Sequence, residues 1–342
     1  MLLRSFSALA LAGAVCASAP AAAEQRAGAT DVPAQAREVR AWLMRIHEAA
    51  SHRNFQGTFV VSSGSGVSSA RIAHYCEGPS QFERSESLNG RARHVYRHND
   101  VVTTLWPGTR IATVEQRTLL AQFPALLQAG DDRIADFYEV SAQGVERVAG
   151  RQANVLRVKP RDAYRYGYRL WADRDSGLLL RADVMGDHDR VLESSAFSEV
   201  SIDVKPQPET VLQPMKRLQE YRVVPVVLKP TSLESEGWSL RQSVPGFREV
   251  SCVRRPMQRA DEAGNGPVED KVIQAIFSDG LSYVSLFIEP FRPQLHTQPM
   301  LTSVGPTQTL MLQHGDWWVT VLGDAPPATL QMFVHGLERS SK

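Results

Sequence analysis

From Phe55 to Val204 the chain is built of short runs rich in β-branched and aromatic residues, parted by turn formers, and this restricts the fold more than any other feature. Strands are predicted at Phe55–Val61, Ser68–Tyr75, Arg91–Tyr96 after Asn89-Gly90, and Val101–Trp106 before Pro107-Gly108. A second set follows at Val145–Val148, Gln152–Lys159, Tyr166–Ala172, Leu178–Met185 and Val191–Val204. Asp173-Arg174-Asp175-Ser176-Gly177 and Gly186-Asp187-His188-Asp189 stand between strands, and residues of these types tolerate left-handed or Asx-turn backbone. Strands joined by such tight turns pair antiparallel, so the expectation is a meandering antiparallel sheet. Helix is predicted ahead of the sheet over residues 33–53, where Val39, Leu43, Ile46 and Ala50 recur at helical spacing, and in an interlude at Leu119–Gln128 and Asp132–Tyr138.

Period-two alternation gives the sheet an apolar face: Phe55, Phe59 and Val61 alternate with Gln56 and Thr58, Tyr168 and Leu170 with Gly167 and Arg169, and Leu178, Leu180 and Val184 with Arg181 and Asp183. A helix of about five turns covers part of such a surface. The sheet must curl around it, and any apolar face left over becomes a groove of the kind that holds lipid. Phe55, Phe59, Val61, Tyr168, Leu170, Leu178 and Leu180 are the candidate lining residues. The alternative is that helices fill the whole concavity and these side chains are plain core.

Pro206, Pro208, Pro214, Pro225 and Pro230 then break the pattern, a density that no single regular element is expected to tolerate. Residues 206–236 are therefore read as a linker between a domain at 24–205 and a smaller one at 237–342. The latter carries predicted strands at Trp238–Ser243, Phe247–Arg254, Val272–Phe277, Tyr283–Glu289, Gln308–Gln313 and Trp317–Leu322, with hairpin turns at Ser278-Asp279-Gly280 and His314-Gly315. Leu330, Phe333, Val334 and Leu337 close it with a helix, making this domain α+β.

Arg4, the apolar Phe6 to Val15 run and Ala21-Ala22-Ala23 have the form of a cleaved secretory signal, which places the mature chain outside the cytoplasm. Loss of Arg4 takes the 38 basic residues to 37, equal to the 37 acidic ones, so charge makes no case for nucleic-acid binding. Cys76 and Cys252 remain, as an interdomain disulfide or as two separate thiols. No catalytic constellation emerges. Ser62-Ser63-Gly64-Ser65-Gly66 lacks the spacing of a nucleophile elbow and reads as a hairpin loop. His94 and His98 come without a carboxylate or cysteine at ligand spacing, and Asp187-His188-Asp189 suits a polar turn. The expectation is a non-enzyme with neither cofactor nor metal.

Charge is uneven locally. Residues 205–259 hold ten Lys/Arg against five Glu, whereas 260–290 hold six acidic residues against Lys271. Guanidinium groups match carboxylates and phosphates, so Arg217, Arg222, Arg241, Arg248, Arg254 and Arg255 are candidate contacts for an acidic peptide or anionic head groups; the alternative is that the opposite-signed segments face each other or water.

Asn54-Phe55-Gln56-Gly57-Thr58-Phe59-Val60-Val61 after the helix, then Phe82-Glu83-Arg84 and Leu88-Asn89-Gly90, resembles the opening of the RseB/MucB family of sigma-E negative regulators. Phe277 to Glu289 (FSDGLSYVSLFIE) and Val319 to Thr329 (VTVLGDAPPAT) resemble its C-terminal part, in the same order. The resemblance implies an N-terminal unclosed antiparallel β-barrel with helices, similar to lipoprotein carriers, plus the smaller α+β domain. It implies a periplasmic protein that binds the periplasmic segment of a transmembrane anti-sigma factor (RseA/MucA-like), shields it from proteolysis, and is released by a lipid or lipoprotein signal. A lipid or lipoprotein carrier is the other class in view, and homo-oligomer formation stays open.

Overall fold

Turn chemistry and alternation organise the chain into two large, mainly antiparallel sheets and a small two-stranded one, seen in a computed structural model that describes residues 32–64, 66–116, 134–259 and 268–340. Helix α1 (Val32–His52) precedes β1 (Phe55–Ser63), β2 (Gly66–Glu77), β3 (Ser80–Ser87), β4 (His94–His98), β5 (Val101–Trp106) and β6 (Ile111–Gln116). The short α2 (Ile134–Phe137) leads into β7 (Tyr138–Val148), β8 (Arg151–Pro160), β9 (Gly167–Asp173), β10 (Leu179–Met185) and β11 (Val191–Ile202). After α3 (Glu209–Lys216) come β12 (Arg222–Val226), β13 (Lys229–Pro230), β14 (Trp238–Leu240), β15 (Arg248–Arg259), β16 (Val268–Ser278) and β17 (Tyr283–Pro290). The chain ends with β18 (Met300–Val304), β19 (Thr307–His314), β20 (Trp317–Gly323), α4 (Pro327–Gly336) and β21 (Leu337–Arg339).

The larger sheet has twelve strands in the order β12-β6-β5-β4-β3-β2-β1-β11-β10-β9-β8-β7, and its end strands β12 and β7 do not pair with each other. It is the mainly antiparallel sheet that the turns predict, and it is unclosed as the family resemblance implies. Helix α1 lies along it, burying Leu43 and Ile46 against Tyr138, Val158, Tyr168 and Leu170. Arg45 fastens the helix by donating to the carbonyls of Arg174 and Asp175 at 2.6 and 3.2 Å. Gly177 makes this approach feasible: it sits at φ +81°, and a Cβ there would lie 2.9 Å from the Arg45 side chain. The smaller sheet has seven strands, β13-β15-β16-β17-β20-β19-β18, and α4 packs Leu330, Phe333 and Val334 against its core residues Ala275, Phe277 and Val284.

Some expectations change and others go untested. Asp132–Tyr138 contributes helix at Ile134–Phe137, and Tyr138 already opens β7. Residues 1–23, Leu119–Gln128 and the Val39 side chain fall outside the described residues. The proline-rich stretch is more ordered than its composition suggests. Val211, Leu212 and Met215 of α3 cover a second apolar cluster formed by Ala73, Tyr75, Phe82, Tyr96, Leu105 and Ala112. Strands β12 and β13 then form the end of each sheet. Proline fits there because Arg222 and Thr231 turn their N–H groups inward, to the carbonyls of Arg110 and Cys252. By alternation Pro225 and Pro230 face their donor-less nitrogens outward, where no ladder bond is lost.

Cys76 on β2 and Cys252 on β15 are free thiols in different sheets. Burial pushes the Cys252 thiol up to about 12. Asp183, read as an outward residue, is buried, with Arg181 donating two bonds to its carboxylate and Ser194 a third.

Candidate functional site

The most heavily built feature is the junction of the two sheets, at the tip of the β16–β17 hairpin. Asp279 accepts the backbone N–H groups of Leu281 and Ser282 on Oδ1, at 3.0 and 2.7 Å, which shapes the turn. Its Oδ2 faces the larger sheet and accepts Tyr138 Oη at 2.7 Å and Arg165 Nη1 at 2.9 Å. Both charged side chains are 0% exposed. Such burial is tolerable only when each polar atom is met, and Arg165 also donates to Asp162 Oδ1 and to the Pro245 carbonyl while lying over the Phe137 ring. Burial, then the Asp279 charge, hold the Tyr138 phenol far above its ordinary range, so it remains a donor. Leu281 inserts among Leu43, Tyr168 and Leu170, and Ser282 Oγ meets Tyr168 Oη at 2.8 Å.

A second contact lies at the β18–β19 turn, where a Cβ on Gly305 (φ +59°) would sit 3.1 Å from Ser63 and 3.5 Å from the Glu193 carboxylate. Asp324, which accepts from Thr307 Oγ1, lies in the same neighbourhood. Burial raises both acids, and the Asp324 charge adds to the effect on Glu193.

On the larger sheet, Phe59, Val61, Ser68, Ala70, Ser85, Ser87 and Val95 line a recess of about 180 Å³, with exposed Asn89 and Arg93 beside it. This is below the roughly 300–1,000 Å³ usual for small-molecule sites. Of the candidate lipid residues, the recess takes Phe59 and Val61. Phe55, Leu178 and Leu180 are buried with Phe197 and Trp171. Tyr168 and Leu170 lie beneath α1. A larger hollow of about 590 Å³ is polar, bounded by Arg45, Glu48, His52, Arg53, Asp175 and Asp203.

Of the candidate basic residues, Arg222 lies on the end strand β12, Arg248, Arg254 and Arg255 on β15 next to the end strand β13, Arg217 directly after α3 and Arg241 directly after β14. Arg217, Arg222 and Arg248 are exposed. Arg241 pairs with Glu338 at 3.2 Å, Arg254 with Glu236 at 2.5 Å, and Arg255 donates to Gln274. His94 and His98 lie on β4, His98 stacked on Phe82, and Asp189 of the 187–189 turn pairs with Arg157. Among the described residues no cluster of His, Cys, Asp or Glu is arranged to hold a metal.

The sequence reading misses the junction: it gives Ser278-Asp279-Gly280 as a hairpin turn and Tyr138 as the end of a helical stretch, and it assigns Arg165 no role. The available signal was Leu281, an apolar residue directly after a turn that water should surround.

Two sheets joined through a buried charge network, one of them bearing a small recess at Phe59 and Val61, define a two-domain binding scaffold. The chain belongs to the MucB/RseB family: the MucB/RseB N-terminal domain matches residues 38–215 and the MucB/RseB C-terminal domain residues 232–338. It is similar to the sigma factor AlgU regulatory protein MucB of Pseudomonas aeruginosa, 31% identical over 310 residues that cover 88% of this chain and 91% of MucB. It is 24% identical to the sigma-E factor regulatory protein RseB of Escherichia coli K12, over 87% of this chain and 90% of that one. Its fold matches solved structures of P. aeruginosa MucA/MucB (TM-score 0.66, 28% identity, 89% of this chain and 100% of that one) and of MucB in complex with MucA(peri) (TM-score 0.64, 27% identity, 89% and 99%). These relatives are named as regulators and not as enzymes.

Proposed function

We propose that this protein is a non-catalytic periplasmic regulator that binds the periplasmic segment of a transmembrane anti-sigma factor, shields it from regulated proteolysis, and releases it on a lipid or lipoprotein signal. The observation that carries this reading is full-length likeness, across both domains, to a family with a member solved in complex with MucA(peri). The chain divides, on this reading, into a signal at 1–23, a sheet domain at 24–205, a connection at 206–236 and a smaller domain at 237–342. The exposed Arg217, Arg222 and Arg248 suit an acidic segment, and the recess at Phe59 and Val61 suits the end of an acyl chain. Val61 and Ser63 lie on one strand, so a ligand that spreads the recess presses on the Gly305 contact between the sheets. A carrier that merely ferries lipid has no use for a second sheet locked to the first through Asp279.

The test is direct. Purified mature protein should bind the periplasmic fragment of the cognate anti-sigma factor in a calorimeter and slow its cleavage by the site-specific protease, and lipid should reverse both. A fragment that neither binds nor gains protection would remove the regulator reading and leave the carrier.

A further inference from the structure

One extended segment ends both sheets. Strand β12 pairs parallel with β6, from Arg222↔Ile111 to Val226↔Glu115, and closes the order of the larger sheet. Two residues later β13 pairs antiparallel with β15, Lys229 opposite Arg254, and closes the order of the smaller one. Among the described residues no strand lies outside either. Arg222 gives its N–H to Arg110 at 2.8 Å, so Val224 shares its inward direction, while the backbone groups of Val223 and the carbonyl of Pro225 point away from the sheet. Val223 and Val227 are 43% and 58% exposed, large values for valine. Residues 216–230 carry Lys216, Arg217, Arg222 and Lys229 against Glu220, a net charge of +3.

We propose that the outer edge of β12, Arg222–Val226, is a β-addition site, on which an extended acidic segment of the partner protein lies as an added strand at the end of the larger sheet. This rests on the regulator reading and names the place where its partner docks. Edge strands offer unpaired N–H and C=O groups that bind extended peptides, with alternate side chains setting specificity. Here the apolar contacts are Val223 and Val227, and the flanking cations select acidic residues in the incoming chain. Pro225 deletes a donor but keeps a carbonyl. The edge is thus richer in acceptors, and the arriving strand must supply N–H groups and be free of proline where it pairs. The same deletion makes the edge a poor template for indiscriminate strand pairing.

The experiment uses the mature protein and the purified periplasmic fragment of the anti-sigma factor. Amide exchange of the unmodified protein comes first: fragment binding should slow exchange at Val223 at least about tenfold, whereas Val224, already paired to β6, should change little. Val223→Pro removes an outward donor without touching the β6 ladder and should weaken binding at least about tenfold at an unchanged melting temperature. Arg222→Glu with Lys229→Glu should weaken it severalfold, more at low salt. Fragment that binds tightly with no added protection at Val223, or binding indifferent to a folded Val223→Pro, overturns the edge site and leaves the regulator reading standing. If Val223→Pro does not fold, the exchange result decides. A wild-type protein that does not bind the fragment at all overturns the reading itself.

Discussion

At the scale of single residues, the energetics concentrate on groups whose charge is out of water. Asp279 answers four donors, two from its own turn and two from the opposite sheet. Replacing it with alanine leaves Arg165 buried beside a partnerless Tyr138 hydroxyl, and removal of one member of a buried pair costs roughly 3–5 kcal/mol. Asp279→Ala should lower the denaturant-unfolding free energy of the full chain by about that amount; a loss of less than about 1 kcal/mol would mean that the pair contributes nothing net. Asp324 and Glu193 act in the opposite sense. Their carboxyls are raised above their ordinary values in the folded state, chiefly by burial. The folded chain therefore holds these protons longer than the unfolded chain, so this contribution is most favourable below the ordinary carboxylate range and is lost as pH rises through the raised values. Asp324→Asn should stabilise relative to wild type by an amount that grows from acidic to neutral pH. A difference in melting temperature that is flat with pH would refute this.

At the scale of elements, most of the larger sheet was legible, because alternation and turn residues are local signals. Phe55–Val61 and Val191–Val204 correspond closely to β1 and β11. Their mutual pairing was not legible, since it joins residues far apart in sequence, with Phe55 opposite Ile202. Gly57 carries that pairing. A Cβ there would stand 2.2 Å from the Glu199 carbonyl oxygen, beside the bulge at Thr58/Phe59. Gly57→Ala should therefore force β1 and β11 apart and cost about 1–3 kcal/mol, with early amide exchange at Phe59 and Phe197; normal protection there would show that the bulge absorbs the methyl group. Strands β12 and β13 were hidden for a different reason. Proline forbids a central strand but suits an end strand, and a single sequence does not reveal where a sheet stops. The candidate lining residues were identified as apolar and inward, which holds for Phe55, Leu178 and Leu180. Whether an inward residue meets a void or another side chain depends on three-dimensional filling that periodicity does not encode.

At the scale of the whole molecule, the proline-rich stretch reads in the sequence as a linker between two domains, and the structure shows in addition that the two sheets share Asp279, Leu281 and the Gly305 contact. On the proposed function, a lipid signal would act against a lock, and coupling would be reciprocal: if an acyl ligand lowers affinity for the anti-sigma segment, that segment lowers affinity for the ligand by the same factor. Calorimetry of each ligand with and without saturation by the other should give matching ratios of about 5–150-fold. Two affinities that ignore each other would leave the protein a passive shield.

The lock also sets a timetable. Arg165 precedes Asp279, the buried one of its two carboxylate partners, by 114 residues, and a chain made from its N-terminus presents the cation, and the apolar bed that Leu281 later fills, well before either is covered. The larger sheet cannot reach its final state while it emerges; it has to wait for a hairpin from the second half of the chain. Nascent chains halted before Ser278 should be the form that chaperones and proteases seize, and an isolated N-terminal half would be a poor surrogate for the protein, with Arg165 lacking Asp279 and the bed of Tyr168 and Leu170 lacking Leu281.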